Sequence, residues 1–392
     1  MRSDRLLQPD LPHPSLSGGS EGSPGSRRRL IPIFACGEGT FGTTHSDQCL
    51  AGCKPCKSLG YKELETGDTA TAHGRACAIG LDVGGTKIAG GIVAFPGGQV
   101  LARRNLPTQA WRGGAAVLAD ALRLAEELLG QAGGLEVLGI GIGVAELVDA
   151  DGEIVSDQAI PWRGLPVQAS FARLAPTIIE SDVRAAALAE ARFGAGQSFR
   201  LFAYVTVGTG ISSCLVQHGQ PYTGARGNAL ILASSPLTTT CPHCGTVLRP
   251  VLEAFASGPA LVARSNQIAG GRPTRGEEVL AAVASGDPAA VEVVRTAGEA
   301  LGVSIGWLVN VLDPEAVIVG GGLGLAGGLY WDSMVESARA HIWAEATRDL
   351  PILPAALGAD AGMIGAAAAL ATARARSIAP AGRDQEAGAS RV

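Results

Sequence analysis

The chain has no lysine after Lys87, no methionine between Met1 and Met334, and no apolar run long enough to cross a membrane. The longest candidate, around Met363 to Ala373, is mostly alanine. It falls short of the roughly 20 residues that a helical span needs, so no membrane partner is expected. The apolar core of a signal peptide is missing as well. The start reads Met-Arg-Ser-Asp-Arg-Leu-Leu-Gln-Pro, so a cytoplasmic location is expected. Nor is there an excess of positive charge. A formal net charge of −5 argues against a nucleic-acid partner held by general electrostatics. In a reducing compartment the eight cysteines read as free thiols or metal ligands rather than disulfides.

What is present describes a globular α/β chain. Hydrophobic residues make up 46% and charged residues 17%, and 55 glycines point to many tight turns. At 392 residues one core is usually exceeded, so two lobes are expected. Residues 1–76 are of different composition: rich in Pro, Gly, Ser and Thr, with the basic run Arg27-Arg28-Arg29, and expected to be disordered. Cys53-Lys-Pro-Cys56 has metal-ligand spacing, with Cys36, Cys49 and His45 nearby, but a second well-spaced pair is missing. From Ala78 the periodicity sets in. A strand hairpin spans Ala78 to Val93, a third strand runs from about Gln99 to Arg104, and an amphipathic helix is expected over Trp111 to Leu129. Buried strands follow at Leu135–Val144 and Pro176–Glu180, the latter running straight into a helix, Ser181–Phe193. The second half repeats this plan loosely. It has strands at Leu201–Val207 and Ile211–Gln217, a long helix over Pro288–Leu312 and a strand at Ala316–Val319. The tail over 378–392 is polar and expected to fray.

Four pieces carry chemistry. In Asp82-Val-Gly84-Gly85-Thr86-Lys87 a tight turn offers backbone N–H groups, a hydroxyl and an ammonium to one point, which suits a phosphate. Asp82 is placed to hold a metal ion or an ordered water beside it, and a plain Gly-Gly hairpin is the structural alternative. Lys87, in an arginine-rich chain, supplies a compact ammonium where a planar fork would fit less well. Gly208-Thr209-Gly210 repeats the strand–turn–strand geometry, and two such turns could clasp a nucleotide from both sides. In Glu180-Ser181-Asp182 a strand becomes a helix, so Asp182 is either a helix cap or a general base taking a proton from a substrate hydroxyl. Last, Gly320-Gly321-Gly322 opens a turn whose Gly322-x-Gly324-x-x-Gly327 spacing raises a dinucleotide site. The acidic residue expected after the next strand is missing, which favours a turn packed against adenosine.

Asp82–Lys87, Gly141-Ile-Gly-Val-Ala-Glu-Leu-Val-Asp149, Ser181-Asp-x-x-Ala-Ala-Ala-Leu-x-Glu190, Gly208-Thr-Gly-Ile211, Glu253-Ala-Phe-Ala-Ser-Gly258 and Leu312-Asp-Pro-Glu-Ala-Val-Ile-Val-Gly-Gly-Gly322 resemble the ROK family of repressors, open reading frames and sugar kinases. They occur in the family's order between Ala78 and about Ala373. The resemblance implies an actin-like ATPase (ribonuclease H-like) fold with a central nucleotide and sugar cleft. It implies a small lobe over 77–193 joined by a last helix over 361–374, and a larger lobe over 194–360. It further implies a glucokinase-like activity that phosphorylates the 6-hydroxyl of an aldohexose or N-acetylhexosamine from Mg-ATP, with Asp182 as base, and a homodimer or homotetramer.

Departures from the family lie on the sugar side. Family kinases carry Asn-Asp where this chain has Ser181-Asp182. They also carry Gly-Glu-Ile-Gly-His where Ile231 and Ser234 take the Glu and His places. The cysteine-rich zinc loop is reduced to Cys241-Pro-His243-Cys244, so the usual tetrahedral zinc site lacks a ligand. The sugar contacts left are Ser181, Asp182, Asn228, Ser234 and Glu253. The second functional reading is therefore a catalytically weakened sugar sensor without a DNA-binding domain, since no helix-turn-helix pattern precedes Ala78. A dinucleotide enzyme is the third.

Overall fold

Alternation along the strands decides which face of each sheet meets which helices. In the computed structural model, which describes residues 76–240, 245–269 and 273–378, all described residues fall within one compact unit, Thr69–Val392. Expectations for residues 1–75, for Cys241 and Cys244, and for the tail beyond 378 lie outside the described residues.

Strands β1 (Ala76–Val83), β2 (Lys87–Ala94), β3 (Gln99–Pro107), β4 (Glu136–Val144) and β5 (Thr177–Ser181) form one five-stranded sheet in the order β3-β2-β1-β4-β5. The first three are an antiparallel meander, and β4 and β5 run parallel to β1. Strands β6 (Leu201–Val207), β7 (Ile211–Gln217) and β8 (Gln220–Pro221) begin a second sheet. A two-stranded ribbon follows, β9 (Thr239–Thr240) with β10 (Val247–Leu248). Then β11 (Ala316–Gly320) and β12 (Ile352–Pro354) complete the second sheet, in the order β12-β11-β6-β7-β8. Read from its meander edge, each sheet has the same plan: three antiparallel strands, then two parallel ones.

The helices are α1 (Gly114–Gln131), α2 (Val167–Ala172), α3 (Asp182–Phe193), α4 (Glu253–Ala256), α5 (Gly258–Ala269), α6 (Gly276–Ala284), α7 (Pro288–Leu312), α8 (Gly328–His341), α9 (Glu345–Arg348) and α10 (Ala361–Ile378). Ile79, Leu81 and Val83 point to one face of the first sheet and pack with Val117, Leu124 and Leu128 of α1. The opposite face, reached by Ala78 and Val93, meets Met363, Ala367 and Leu370 of α10. In the second sheet Phe202, Tyr204, Cys214 and Val216 pack on Val183 and Ala187 of α3. Ala203, Val205 and Val207 turn the other way, onto Val294, Leu301 and Met334 of α7 and α8. Helices α3 and α10 therefore form a middle layer between two sheets. The small residues on that side are required by distance: a Cβ on Gly141 would collide with the Ala366 carbonyl of α10. Period-two alternation supplies each face, and burial of both faces supplies most of the stability.

The local readings hold with shifts at the ends. The third strand runs on to Pro107. The expected helix from Trp111 splits into a short 3-10 turn, Ala110–Arg112, and α1, because Gly113 at φ 90° interrupts the helical path. Helix α7 keeps both of its sequence limits. Asp287 caps it by accepting from Ala289 N–H and Ala290 N–H, with Pro288 in the first turn.

Candidate active site

Asp82 ends β1 and Asp182 begins α3 directly after β5. Asp82 is opposite Gly143 on β4, and Gly143 is opposite Glu180 on β5. With strands about 4.8 Å apart, the ends that carry the two aspartates are separated by about 10 Å. Both are at carboxyl ends of parallel strands, where open α/β sheets place their ligands.

Burial pushes the Asp182 carboxyl up to about 7, and the neighbouring charges of Asp82 and Glu146 push the same way. The Val183 N–H that Asp182 Oδ1 accepts, at 2.6 Å, and the Arg184 guanidinium oppose them. Asp82 is raised to about 6 by burial, opposed by Lys87. The N-terminal turn of α10 closes over it: a Cβ on Gly362 would lie 2.6 Å from the Asp82 carboxyl. The Tyr204 phenol on β6 is raised by burial and by the charges of Glu190, Asp182 and Asp82, which places both aspartates toward the second sheet. A carboxylate held near 7 can take a proton at neutral pH. Ser181 is the N-cap residue of α3 but makes no side-chain capping bond.

The first candidate phosphate turn is pinned from outside itself. Gly84 N–H donates to the Lys87 carbonyl at 3.0 Å. The buried Thr108 donates its hydroxyl to Gly84 O at 2.6 Å and its N–H to Thr86 O at 3.0 Å. Gly85, Thr86 and Lys87 are left exposed. The second turn, Gly208–Gly210, is closed by Gly208 N–H to Gly210 O at 2.9 Å. The Gly258 N–H that opens α5 donates to Gly208 O at 2.9 Å, so Gly208 and Gly258 are side by side. Gly320–Gly322 ends β11 next to β6, and a Cβ on Gly208 would be 3.8 Å from Gly322 N. Leu323 N–H and Gly324 N–H both donate to Val207 O, at 3.0 and 3.1 Å. Those amides are therefore not free to hold a pyrophosphate, which removes the physical basis of the dinucleotide reading.

The sugar candidates are placed less uniformly. Glu253 Oε2 accepts from Ile211 N–H at 2.8 Å and so braces the second phosphate turn. A bond to a sugar hydroxyl would have to use its other oxygen. Ser234 donates its hydroxyl to Ile231 O at 3.0 Å, and both residues are exposed. Asn228 is exposed at the end of the Gly224–Asn228 turn. Among the described residues, no group of three or more His, Cys, Asp or Glu forms a metal cage.

Glu146 carries a role that motif reading did not find. It is 4% exposed, yet its carboxylate accepts from Gln158 N–H, Ala159 N–H and Ile160 N–H at 2.7–2.8 Å, and from the Ser156 hydroxyl. This fixes the 156–160 loop, whose Ala159 would meet a Cβ on Gly85 at 3.3 Å. Glu146 thus sets one wall of the first phosphate turn and adds negative charge near Asp182. No local signal could have shown this, since its donors lie ten or more residues downstream.

Comparison with known proteins finds relatives over most of the chain. The ROK family profile matches residues 78–373. A glucokinase of Streptomyces coelicolor is 32% identical over 309 residues, covering 74% of this chain and 96% of the relative. An N-acetylmannosamine kinase of Escherichia coli is 30% identical, covering 74% and 96%. Among solved structures, a ROK hexokinase from Thermus thermophilus superposes with a TM-score of 0.64 at 33% identity, covering 77% of this chain and 99% of that one. A ROK glucokinase from Streptomyces griseus, in complex with glucose and AMPPNP, gives 0.65 at 30% identity, covering 75% and 98%.

Proposed function

The chain belongs to the ROK family and has the actin-like ATPase fold of its sugar kinases, and from that premise we propose that it transfers the γ-phosphoryl group of ATP to the 6-hydroxyl of an aldohexose or N-acetylhexosamine. The observation that carries this reading is Asp182: a carboxyl raised to about 7 at the end of β5, on the side of the exposed Gly84–Lys87 turn. Asp182 takes the proton of the sugar 6-hydroxyl as the new O6–P bond forms. The bond from the γ-phosphorus to the bridging oxygen breaks, and ADP leaves. Lys87 and the backbone of Gly85 and Thr86 meet the phosphates from one sheet. Thr209, Gly210 and Gly320–Gly322 meet the nucleotide from the other. Asp82 is an oxygen donor suited to a hard cation, and it would hold Mg²⁺ through water, where the ion neutralises phosphate charge. The described residues offer no comparable set for zinc.

The names of the relatives support a sugar as acceptor: glucose for one group, N-acetylmannosamine for another. Ile231 favours a second reading. An exposed apolar side chain stands where family kinases carry Glu, and the Ser234 hydroxyl is turned onto Ile231 O. A sensor that binds sugar without efficient turnover fits those two positions. An ADP-release assay across a panel of hexoses and N-acetylhexosamines, with Asp182→Asn beside the wild type, decides between them. Sugar-dependent turnover lost in Asp182→Asn supports the kinase. Calorimetric sugar binding with no turnover anywhere in the panel supports the sensor.

Self-association belongs to the same proposal. Val303, Trp307 and Val311 recur at helical spacing on α7 and are 39%, 58% and 57% exposed. Asn310, on the same face, bonds His341 O and Trp343 N–H and so holds Trp343, 89% exposed, beside them. These four side chains show roughly 500 Å² of apolar surface, a patch of the size that is often functional on a single chain. A second copy of this chain is the proposed occupant.

A further inference from the structure

Arg184 enters the chemistry above only through the effect of its charge on Asp182, and it is among the few buried charges, 6% exposed. It follows Asp182 by two residues, and its guanidinium donates in three directions. Nε bonds Glu180 Oε1, Nη1 bonds Gly227 O at 2.6 Å, and Nη2 bonds Val148 O at 2.8 Å. The acceptors come from three separate pieces of chain: β5, the loop after β4, and the turn after β8. Glu180 is in the first sheet, Val148 follows a strand of that sheet, and Gly227 follows a strand of the second.

The Val148 and Gly227 backbones are in contact. Gly227 is at φ 77°, and a Cβ there would collide with Val148 O and lie 2.6 Å from Asp149 Cα. Two carbonyls turned to one buried spot repel each other unless a donor sits between them. The guanidinium fork supplies two parallel donors there and keeps Nε for Glu180. An ammonium, a point charge on a flexible stem, does not hold three such directions at once.

We propose that Arg184 is a positioning residue for the sugar pocket: by bridging Val148 and Gly227 it holds the Gly224–Asn228 turn, and with it Asn228, at a fixed place relative to Asp182. The pocket is then shaped by a clamp between the two sheets, and sugar affinity depends on the clamp more than nucleotide affinity does. This rests on the sugar-kinase reading, and two kinds of measurement keep the two apart.

The first is steady-state kinetics of Arg184→Lys and Arg184→Gln with the best hexose of the panel. The expected result for Arg184→Lys is a sugar KM raised about tenfold with the ATP KM within twofold. Equal rises in both constants would overturn the clamp, because a general loss of packing affects both substrates alike. The second is amide hydrogen exchange over residues 222–229, which needs no turnover and stands even if no sugar is phosphorylated. The expected result is faster exchange there in Arg184→Lys, with β6 and β7 unchanged. Unchanged exchange over 222–229 also overturns the clamp. If Arg184→Gln does not fold, Arg184→Lys carries both measurements.

Discussion

Asp182→Asn should abolish turnover and also stabilise the protein, by an amount that depends on pH. The Asp182 carboxyl is raised from an ordinary 3.8 to about 7, chiefly by burial. Between those values the folded chain holds a proton that the unfolded chain has lost. Stability therefore falls as pH rises from about 4 to about 7 and levels off above. At about 1.36 kcal/mol per unit the cost above pH 7 comes to about 4 kcal/mol, and solvent screening of this half-buried carboxyl reduces it to about 2 kcal/mol. Asparagine keeps the shape and carries no charge, so Asp182→Asn should match the wild type near pH 4. By pH 8 it should melt about 4 °C higher. Differential scanning fluorimetry across that range reads the divergence. The activity of the wild type has the opposite slope. Only the anionic form accepts a proton, so kcat/KM should climb about tenfold from pH 6 to pH 8 and flatten above. Equal melting temperatures at pH 8, together with a rate profile flat through pH 7, would refute a raised, catalytic Asp182.

Three further outcomes test the neighbouring parts. Lys87→Met should raise the KM for ATP at least tenfold and leave calorimetric sugar binding unchanged, because its exposed ammonium is proposed to meet phosphate and not sugar. Glu146→Gln replaces an acceptor of four hydrogen bonds with an amide, and should cost about 3 kcal/mol in urea unfolding. By removing a like charge it should also move the acid limb of the rate profile to lower pH, since Glu146 raises Asp182. Trp307→Glu should convert an oligomer to a monomer in light scattering at unchanged folding; an unaltered mass would remove the α7 face from the interface.

Strands and turns were legible because their signals are local. Ala78–Val83 reads as a buried strand from its own residues, and Gly84-Gly85-Thr86-Lys87 reads as a phosphate turn from its own donors. The Ser181-Asp182 junction, where a strand runs straight into a helix, is legible in the same way. Glu253 shows where such reasoning stops. A carboxylate ahead of Ser257-Gly258 looks free to meet a sugar, but the fold brings Ile211 N–H to it from forty-two positions earlier. Nothing near Glu253 in the chain announces that donor.

By itself the sequence determined the two repeated strand–turn units, the strand-to-helix junction at Ser181-Asp182 and the family to which they belong, since each depends on residues within a few positions of one another. The tertiary structure decided the surroundings of those residues. Asp182 stands near 7 chiefly because the fold buries it, and the charges of Asp82 on β1 and Glu146 in the loop after β4 add to that. The first phosphate turn is rigid because Thr108 reaches back to Gly84 and Thr86. Arg184 is a clamp because two carbonyls from distant loops converge on it. Burial, like charge and shared donors are properties of neighbours in space, and chain order does not contain them.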